Sequence, residues 1–447
     1  MDRLSKEGVS FRRAYANCPV CTPSRGTIFS GRHAHAGPVQ NMFDVYKPTA
    51  PSLATMLREA GYHTAYFGKW HCGGVRNQKP PAMREEKPGR SPWCTRTPEF
   101  FRGGFQDWYG FEVINSFFES FAYRNAETNP RDLEGYQTDG LTDLVLTYLE
   151  NYDREEPLYV VLSVEAPHFP LEAPEQFCRF DPDHLKVRAN FVDRPGMREK
   201  LSVYYAMIEN LDWNIGRVLE ALEENPRFSG HTLTTYHSDH GEFMGSHGVF
   251  QKKLYPHEES VRIPSLFHWP EHLPARGPVE GLWSLVDFVP TLLGLIGLEV
   301  PSHVQGMDFS PRLRGEAFAD REALLLEMVG NPRWSLDHLD WRGLVTDRWK
   351  YAFFETGHEI LFDLEADPFE QTDLSRREPA EAERLRNRLL ELLRATREPY
   401  FDVLIEHGVE PARPVFDVSK RKTDAATYPE DFNPARRDFI VRAPDSE

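Results

Sequence analysis

Residues 21–32 have the sequence CTPSRGTIFSGR, which begins with a cysteine and ends with a Gly-Arg pair. The proline two residues after Cys21 suits the first turn of a helix, and Gly31 suits its end. Cys21 would then lie in the positive field of the helix amino terminus, with Arg25 one turn further along near the same face. That arrangement suits attack on an anionic ester. A lone cysteine before a helix is more often a packing residue, so the segment alone leaves both interpretations open.

Helix-like and strand-like segments alternate through the first two thirds of the chain. Residues 158–164, LYVVLSV, form a continuous apolar run that is typical of a buried parallel strand. Ser52 begins and Gly61 ends a short predicted helix, and residues 204–223 carry an amphipathic helical stripe. Strands are also predicted at 63–68, 232–236 and 263–269, and a further helix at 285–298. The alternation predicts an α/β domain whose mostly parallel sheet is flanked by helices.

The last third of the chain has a different pattern. Short strand-like segments are separated by turns and followed by a predicted helix at 380–397, which favours a small antiparallel sheet with a covering helix. We therefore predict one domain at 1–320 and a C-terminal α+β subdomain with a tail at 321–447. A surface loop is predicted at 77–98 and an extended arm from Pro411. The short strands are predicted at 323–328, 341–346, 350–354 and 359–364.

The chain is acidic, with 69 Asp and Glu residues against 52 Lys and Arg residues and a net charge of -17. This balance argues against general nucleic-acid binding, which needs a basic face, so an anionic ligand would need a local cluster of cations. The 5 cysteines are scattered and odd in number, which argues against a disulfide framework. No apolar run reaches the roughly 18 residues of a membrane span, and the first residues lack a signal-peptide pattern.

Two segments pair a histidine with a predicted strand. In GKWH, residues 68–71, Lys69 and His71 would alternate onto one face of a strand, and a histidine can act as acid or base near neutral pH. His168, in the segment APH, follows the apolar run at 158–164. Loops at the carboxyl edge of an α/β sheet are where ligands bind. A lone histidine at either place would more often be structural.

Two further segments offer metal ligands and a cation. Asp239 and His240, in SDHGE, follow the predicted strand at 232–236. Asp239 supplies the carboxylate oxygen that a hard cation such as calcium prefers, whereas His240 also suits a transition ion such as manganese. Lys253 lies five residues before Glu258 and would supply a fixed positive charge. Out of context, the Asp-His pair would be a helix cap beside a surface histidine, and the lysine a solvated side chain.

Six ordered segments resemble the motifs of the formylglycine-dependent sulfatases of the alkaline phosphatase-like superfamily: the five above and residues 362–374, FDLEADPFEQTDL. The resemblance spans nearly the whole chain. It implies that a formylglycine-generating enzyme oxidises Cys21 to formylglycine, the nucleophile. The implied catalytic residues are Cys21, Arg25, Lys69, His71, His168 and Lys253, and the implied metal ligands are Asp239, His240 and Cys21.

The reaction that the resemblance implies is hydrolysis of a sulfuric ester to an alcohol and sulfate. One hydroxyl of the hydrated formylglycine attacks sulfur, and His168 or a lysine protonates the leaving alcohol. His71 then helps the second hydroxyl to expel sulfate. The implied metal is divalent, calcium or alternatively manganese, and it stabilises the charged oxygens together with the cationic side chains. The substrate is a sulfated small molecule, aryl or alkyl, or a sulfated glycan, and no nucleic-acid or membrane partner is expected.

Alternatives to this interpretation stay open. The Asp239–His240 pair also resembles phosphonate monoester and phosphodiester hydrolases of the same superfamily. In the family, a strand ending in paired acidic metal ligands precedes the segment that begins here at Met1, so the resemblance implies an N-terminally truncated chain. Either an upstream segment supplies that strand, or the chain is an inactive, non-catalytic homologue. Localisation is open as well: the sequence as written has a cytoplasmic start, and a signal peptide would be missing together with the strand.

Overall fold

The computed structural model describes residues 1–47, 49–74, 96–250, 254–330, 340–398 and 405. Lys253, nearly all of the predicted loop at 77–98 and the predicted arm from Pro411 lie outside these residues, so they stay predictions. No helix among the described residues has both the length and the apolar character that a membrane crossing requires.

Helices and strands alternate along the chain before a run of four strands and a final helix. This order confirms the predicted α/β architecture and the small C-terminal antiparallel sheet. The helices are α1 (Asp2–Glu7), α2 (Cys21–Ser30), α3 (Leu53–Glu59), α4 (Gln137–Glu150), α5 (Met197–Glu224), α6 (Glu258–Val261), α7 (Phe288–Leu295), α8 (Ser310–Arg314) and α9 (Pro379–Thr396). The strands are β1 (Val9–Tyr15), β2 (His63–Lys69), β3 (Asp107–Phe111), β4 (Phe121–Arg124), β5 (Arg131–Asp132), β6 (Leu158–Ser163), β7 (Thr234–His237), β8 (Arg262–Ile263), β9 (Ser265–His268), β10 (Gly277–Ser284), β11 (Leu324–Met328), β12 (Trp341–Val345), β13 (Trp349–Phe354) and β14 (Glu359–Asp363).

Two large sheets carry the first two thirds of the chain. One has the strand order β10-β1-β9-β7, with β8 also paired to β1, and the other has the order β5-β4-β3-β2-β6. Strand β1 runs parallel to β10, and β2 runs parallel to both β3 and β6. The pairs β1–β9, β7–β9 and β3–β4 are antiparallel. The sheets are therefore mixed, where the sequence predicts a mostly parallel one.

Two element boundaries differ from the prediction for local reasons. Helix α5 begins at Met197, about two turns before the predicted start at residue 204. The prediction misses these turns because their sequence, MREKLSV, is mostly polar and the apolar stripe that defines the predicted helix becomes clear only after them. Pro264 divides the predicted strand at 263–269 into β8 and β9, since proline lacks the N–H that strand pairing requires.

Strand β6 confirms one part of its prediction and departs from another. It pairs in parallel with β2, as the apolar run predicts. However, all six of its residues are only partly buried, whereas all seven residues of β2 are buried. The cause is its place in the sheet, because β6 is an end strand whose second edge borders a cavity.

The C-terminal sheet has the order β11-β12-β13-β14 and is antiparallel throughout. One face packs against α9 through Leu385, Leu389 and Leu393. The other face packs against residues of the first part of the chain, including Tyr15 and Val20. The sheet therefore braces the segment that leads into α2. The domain boundary at residue 320 stays a prediction.

A buried ion pair joins the loop after α2 to the C-terminal sheet. Glu327 in β11 accepts a hydrogen bond from the Ala34 amide at 2.6 Å and lies 2.7 Å from His35 Nδ1. His35 Nε2 lies 3.1 Å from the Thr396 carbonyl oxygen. Because both ring nitrogens face acceptors, His35 is an imidazolium. Burial opposes ionisation of both groups, but the Glu327 charge raises the pKa of His35, and the His35 charge lowers the pKa of Glu327 to about 2.

Replacing His35 by glutamine is expected to lower the free energy of unfolding by about 3 kcal/mol at pH 6, since it leaves a buried carboxylate without its counter-ion. A raised histidine pKa stabilises the fold fully below pH ~6.5, and this contribution disappears as the pH rises through the folded pKa. The deficit of His35→Gln should therefore shrink at pH 9. Urea unfolding at both pH values measures it. The exposed His184→Gln is the matched control, and equal deficits at pH 6 and 9 would contradict the assignment.

Candidate active site

Cys21 lies at the amino terminus of α2, where the sequence predicts it. Val20 precedes it in an extended conformation, and Gly31 ends the helix with a φ of 64°. The helix packs closely on the chain beside it, because a Cβ on Gly26 would lie 2.2 Å from a methyl group of Val39. Cys21 is 4% exposed and lines a cavity between the two large sheets. The first turn of α2 is thus held with its cysteine toward that cavity.

Arg25 extends from the same helix and connects several parts of the site. Its Nη1 donates to the Lys69 carbonyl oxygen and to Ser163 Oγ, both at 2.8 Å. Its Nε lies 3.3 Å from Asp239 Oδ2, which forms an ion pair. One buried guanidinium therefore touches the ends of β2 and β6 and Asp239, which lies two residues beyond β7. Five donors in a rigid plane make arginine suited to such a position.

Asp239 and His240, which follow β7, lie next to Cys21. His240 Nε2 lies 3.1 Å from Cys21 Sγ and 3.6 Å from Asp239 Oδ1. His240 Nδ1 lies 2.8 Å from the Gly241 carbonyl oxygen and donates to it, so the lone pair of Nε2 points toward Cys21. Burial opposes ionisation of Asp239, but the charges of His240 and Arg25 outweigh it and lower its pKa. The pair offers a carboxylate oxygen and an imidazole nitrogen.

These three side chains fit part of a metal site. Their ligand atoms lie within 4.8 Å of one another, and no other group of three His, Cys, Asp or Glu side chains in the described residues meets this criterion. A carboxylate with an imidazole suits a divalent ion of the manganese type, and calcium also binds carboxylate oxygen. Calcium takes about six to eight oxygen ligands, so these residues supply only a fraction of a full coordination sphere.

Lys69 ends β2 and faces a buried carboxylate that is not among the site residues predicted from the sequence. Its Nζ lies 3.3 Å from Glu165 Oε1, and both side chains are buried. Glu165 Oε2 also accepts from the Asn115 amide at 3.2 Å and from Gln137 Nε2 at 3.3 Å. Glu165, just beyond β6, therefore holds Lys69 in place at the end of β2. A lone acid directly after a continuous apolar strand is the sequence signal that could have identified it.

His71 contacts Cys21 from a turn beyond the end of β2, whereas the sequence predicts it on the strand itself. Strand β2 ends at Lys69, and His71 has a φ of 53°, so the two residues do not alternate on one strand face. Burial lowers the pKa of His71, and its hydrogen bond with Cys21 opposes this effect. A largely neutral imidazole beside position 21 is suited to accept a proton.

Glu112 supports the turn that carries His71, and it too is not among the site residues predicted from the sequence. Its carboxylate accepts from the Gly73 amide at 2.9 Å and from the Thr97 hydroxyl. Burial raises the pKa of Glu112 to about 7 despite these hydrogen bonds. Nothing local in the sequence around β3 predicts this contact, because it joins segments that are far apart in the chain.

His168 lines the same cavity as Cys21, on the loop that follows β6. Its Nδ1 donates to the Phe169 carbonyl oxygen at 2.7 Å. Lys253 lies outside the described residues, so its predicted role is untested. Glu258, at the predicted spacing from Lys253, contacts Lys350 Nζ at 2.6 Å and Arg262 at 3.3 Å. The structure therefore brings together Cys21, Arg25, Lys69, His71, Asp239 and His240, with His168 in the same cavity.

Replacing Glu165 by glutamine is expected to lower the free energy of unfolding by about 3 kcal/mol, because the buried Lys69 ammonium loses its counter-ion. We also expect KM to change more than kcat, since a freed lysine reaches further toward an anionic substrate. Chemical unfolding and steady-state kinetics measure the two effects. The exposed Glu172→Gln serves as the matched control. A Glu165→Gln variant as stable as the parent would disprove the role of the pair.

Comparison with protein families gives two matches. Residues 1–298 match the family described as Sulfatase, and residues 245–398 match the family described as N-sulphoglucosamine sulphohydrolase, C-terminal. The two matches together span the described core of the chain. They overlap in the segment that includes α6 and Arg262.

Individual relatives support the same family. The chain is 31% identical to an ulvan-active sulfatase of Formosa agariphila, over 84% of this chain and 71% of that protein. It is 26% identical to an endo-4-O-sulfatase of Bacteroides thetaiotaomicron, over 90% and 85% of the two chains. The crystal structure of the putative sulfatase yidJ of Bacteroides fragilis superposes with a TM-score of 0.81, at 25% identity, over 90% and 91% of the two chains. From its family matches, its relatives and its fold, the chain belongs to the sulfatase family.

Proposed function

We propose that this sulfatase hydrolyses sulfate esters carried by a saccharide, with formylglycine at position 21 and a divalent cation bound by Asp239 and His240. The observation that carries the proposal is the position of Cys21, 3.1 Å from His240 Nε2 and hydrogen-bonded to His71. Arg25 and Lys69 add buried positive charge to this part of an otherwise acidic protein. A local cluster of cations is what an anionic ester requires there.

The side chains around position 21 have different roles in the proposed ester cleavage. Arg25 fixes the helix end against β2 and β6 through its two hydrogen bonds at 2.8 Å, which orients the nucleophile. Lys69 and the predicted Lys253 stabilise charge on the sulfate oxygens. His168 gives a proton to the alcohol that departs when one hydroxyl of the hydrate becomes bonded to sulfur. His71 then accepts the proton of the second hydroxyl as the bond from carbon to the sulfate oxygen breaks, the aldehyde re-forms and sulfate leaves. A bound cation would act as a Lewis acid and would favour deprotonation of the attacking hydroxyl.

The saccharide substrate class is supported by the relatives. Their names include an ulvan-active sulfatase, an endo-4-O-sulfatase and an N-acetylglucosamine-6-O-sulfatase, and the last is 24% identical over 90% of this chain. Maturation by a formylglycine-generating enzyme is part of the same proposal, because a thiol cannot re-form a carbonyl group and release sulfate as an aldehyde hydrate can.

The test is turnover by the chain coexpressed with a formylglycine-generating enzyme. We expect sulfate release from N-acetylglucosamine 6-sulfate and from 4-nitrophenyl sulfate in the presence of calcium or manganese. The kcat/KM for the better of these should exceed that for 4-nitrophenyl phenylphosphonate by about 100-fold or more. The phosphonate arm is included because a histidine stands beside Asp239. Preference for the phosphonate ester would overturn the proposal, and so would absence of sulfate release by a chain that carries the aldehyde.

A further inference from the structure

Three neighbouring parallel strands end side by side at one edge of their sheet. Strand β2 pairs in parallel with both β3 and β6. Lys69, the last residue of β2, lies opposite Phe111, the last residue of β3. The chain that follows β6 carries Glu165 and His168. The chain that follows β3 therefore leaves the sheet at the same edge as these site residues, and this edge is where ligands bind in α/β sheets.

Residues 115–120, which follow β3, form a loop that one carboxylate joins to the site. The Asn115 amide donates to Glu165 Oε2 at 3.2 Å, and Lys69 Nζ lies 3.3 Å from Glu165 Oε1. Asn115 has a φ of 51°, in the left-handed region that asparagine tolerates better than most residues. The 115–120 loop therefore begins one carboxylate away from the ammonium that stabilises the sulfate in the proposed mechanism.

Gln137 fixes the rest of the 115–120 loop. Its Nε2 lies 2.9 Å from Ser120 Oγ, 3.4 Å from the Ser116 carbonyl oxygen and 3.3 Å from Glu165 Oε2. Its backbone amide donates to the Phe117 carbonyl oxygen at 2.7 Å. Because Gln137 and Phe117 are both fully buried, the loop has a defined position relative to Glu165.

Phe118 lies in the middle of this loop, and its side chain is 52% exposed. Its ring lies edge-on to Tyr136, with centroids 5.3 Å apart and ring planes at 62°. Tyr136 is in turn stacked on Phe117, with centroids 5.4 Å apart and ring planes at 18°. An aromatic side chain has only two torsions, so a ring held in this way presents apolar area to a ligand at a low cost in entropy.

The same aromatic side chains pack against the chain segment that carries His168. Phe117 and Tyr136 form one buried cluster with Ala166, and Leu171 packs against that cluster. Ala166 and Leu171 stand on the two sides of His168 in the sequence. In the proposed mechanism His168 protonates the departing alcohol, so the alcohol half of the substrate lies on the side of the site where these aromatic residues are.

From these contacts we propose that Phe118 is a specificity-determining residue, whose ring stacks on the sugar that carries the cleaved sulfate ester. The aromatic face offers apolar area to the C–H groups of a pyranose ring, while Lys69 and His168 act on the ester. The inference rests on the proposed function for its substrate class, and it adds the side chain that recognises the saccharide. Since this contact is the same before and during the reaction, its loss should raise KM and leave kcat nearly unchanged.

The first test is the steady-state kinetics of Phe118→Ala on N-acetylglucosamine 6-sulfate and N-acetylgalactosamine 6-sulfate. For the better substrate, we expect KM to rise by about tenfold and kcat to change by less than about twofold. The inhibition constant of inorganic sulfate, which has no ring, should stay within about twofold of the parent value. Phe118→Trp keeps an aromatic face and should restore the parent KM.

Phe100→Ala is the matched control for this variant. It removes a ring of the same size, which is 71% exposed and contacts Phe101 ahead of β3. This variant should keep the parent KM within about twofold. Equal increases in KM in the two alanine variants would overturn the proposal, and so would a KM in Phe118→Trp as high as that in Phe118→Ala.

The second test separates the role of Phe118 from the proposed reaction. Isothermal titration calorimetry measures binding of the two saccharide sulfates and of inorganic sulfate to Cys21→Ala, which lacks the proposed nucleophile. Adding Phe118→Ala to this variant should weaken saccharide binding by about tenfold and leave the binding of inorganic sulfate unchanged.

The outcomes of the second test distinguish the two proposals. If an aldehyde-bearing chain releases no sulfate while saccharide binding depends on Phe118, the proposed function is wrong and the saccharide contact stands. If sulfate is released but neither KM nor the dissociation constant depends on Phe118, the reaction stands and the proposed contact is wrong. Absence of saccharide binding to Cys21→Ala would overturn the contact as well.

Discussion

Replacing Cys21 by alanine is expected to lower kcat/KM for a sulfate ester by about 10⁵-fold, the scale on which removal of a nucleophile acts. Alanine cannot be oxidised to an aldehyde, and it removes the atom that lies 3.1 Å from His240 Nε2. The substitution removes one sulfur atom from the end of α2, so the fold should persist. Initial rates of sulfate release, with circular dichroism to verify folding, measure the effect.

Cys18 provides the matched control for this variant. It lies three residues earlier, is buried among apolar side chains, and has a strongly raised pKa because of that burial. A thiol of this kind is inert, so Cys18→Ala should keep kcat/KM within about threefold of the parent value. Retained turnover by Cys21→Ala, or an equal loss in both variants, would reject Cys21 as the nucleophile.

Replacing Asp239 by asparagine is expected to lower kcat/KM by about 10³-fold and to remove the response to added calcium or manganese. Among the described residues, Asp239 is the carboxylate whose oxygen lies within 4.8 Å of the donor atoms of Cys21 and His240. Asparagine keeps the shape but loses the charge that holds a cation. Arg25 also loses its ion pair at 3.3 Å, so the free energy of unfolding should fall by about 3 kcal/mol.

Thermal unfolding with and without each cation, followed by turnover after chelation and metal return, measures both effects. The parent chain should gain stability and activity from the cation, and Asp239→Asn should gain neither. Asp143→Asn is the matched control, because Asp143 is 56% exposed and pairs with Arg217 away from the site. A cation response in Asp239→Asn equal to that of the parent would contradict the metal assignment.

The elements that the sequence predicts well are those whose signals are local. Helix α2 is defined by a proline in its first turn and a glycine at its end, and both act within the segment itself. The apolar run at 158–164 gives β6 in the same way. The half-burial of β6 could not be predicted, because it depends on what lies beyond its second edge.

Strand β10 shows the opposite case. Its sequence, GPVEGLWS, contains two glycines and a proline, which are signals for a turn rather than for a strand. It is extended because it pairs in parallel with β1 over most of its length. Long-range pairing overrides local preference here, so no inspection of the segment alone would identify it.

The residues of the candidate site also differ in whether local sequence signals or contacts with distant segments place them. Cys21, Arg25, Asp239 and His240 lie where the ends of predicted elements place them, and the structure brings them together. The buried acids Glu165 and Glu112 could not be assigned, because each acts through a partner from a distant segment. The sequence predicts His71 on a strand face with Lys69, but β2 ends at Lys69 and the positive φ of His71 takes it off that face.

The most direct test of the account is the mass of the tryptic peptide that spans residues 14–25, after coexpression of the chain with a formylglycine-generating enzyme. Oxidation of Cys21 to formylglycine replaces its CH2SH group by an aldehyde and makes the peptide about 18 Da lighter. Fragment ions should place the loss at Cys21 and leave Cys18 as a thiol. A peptide that keeps both thiols intact would contradict formylglycine chemistry at this site.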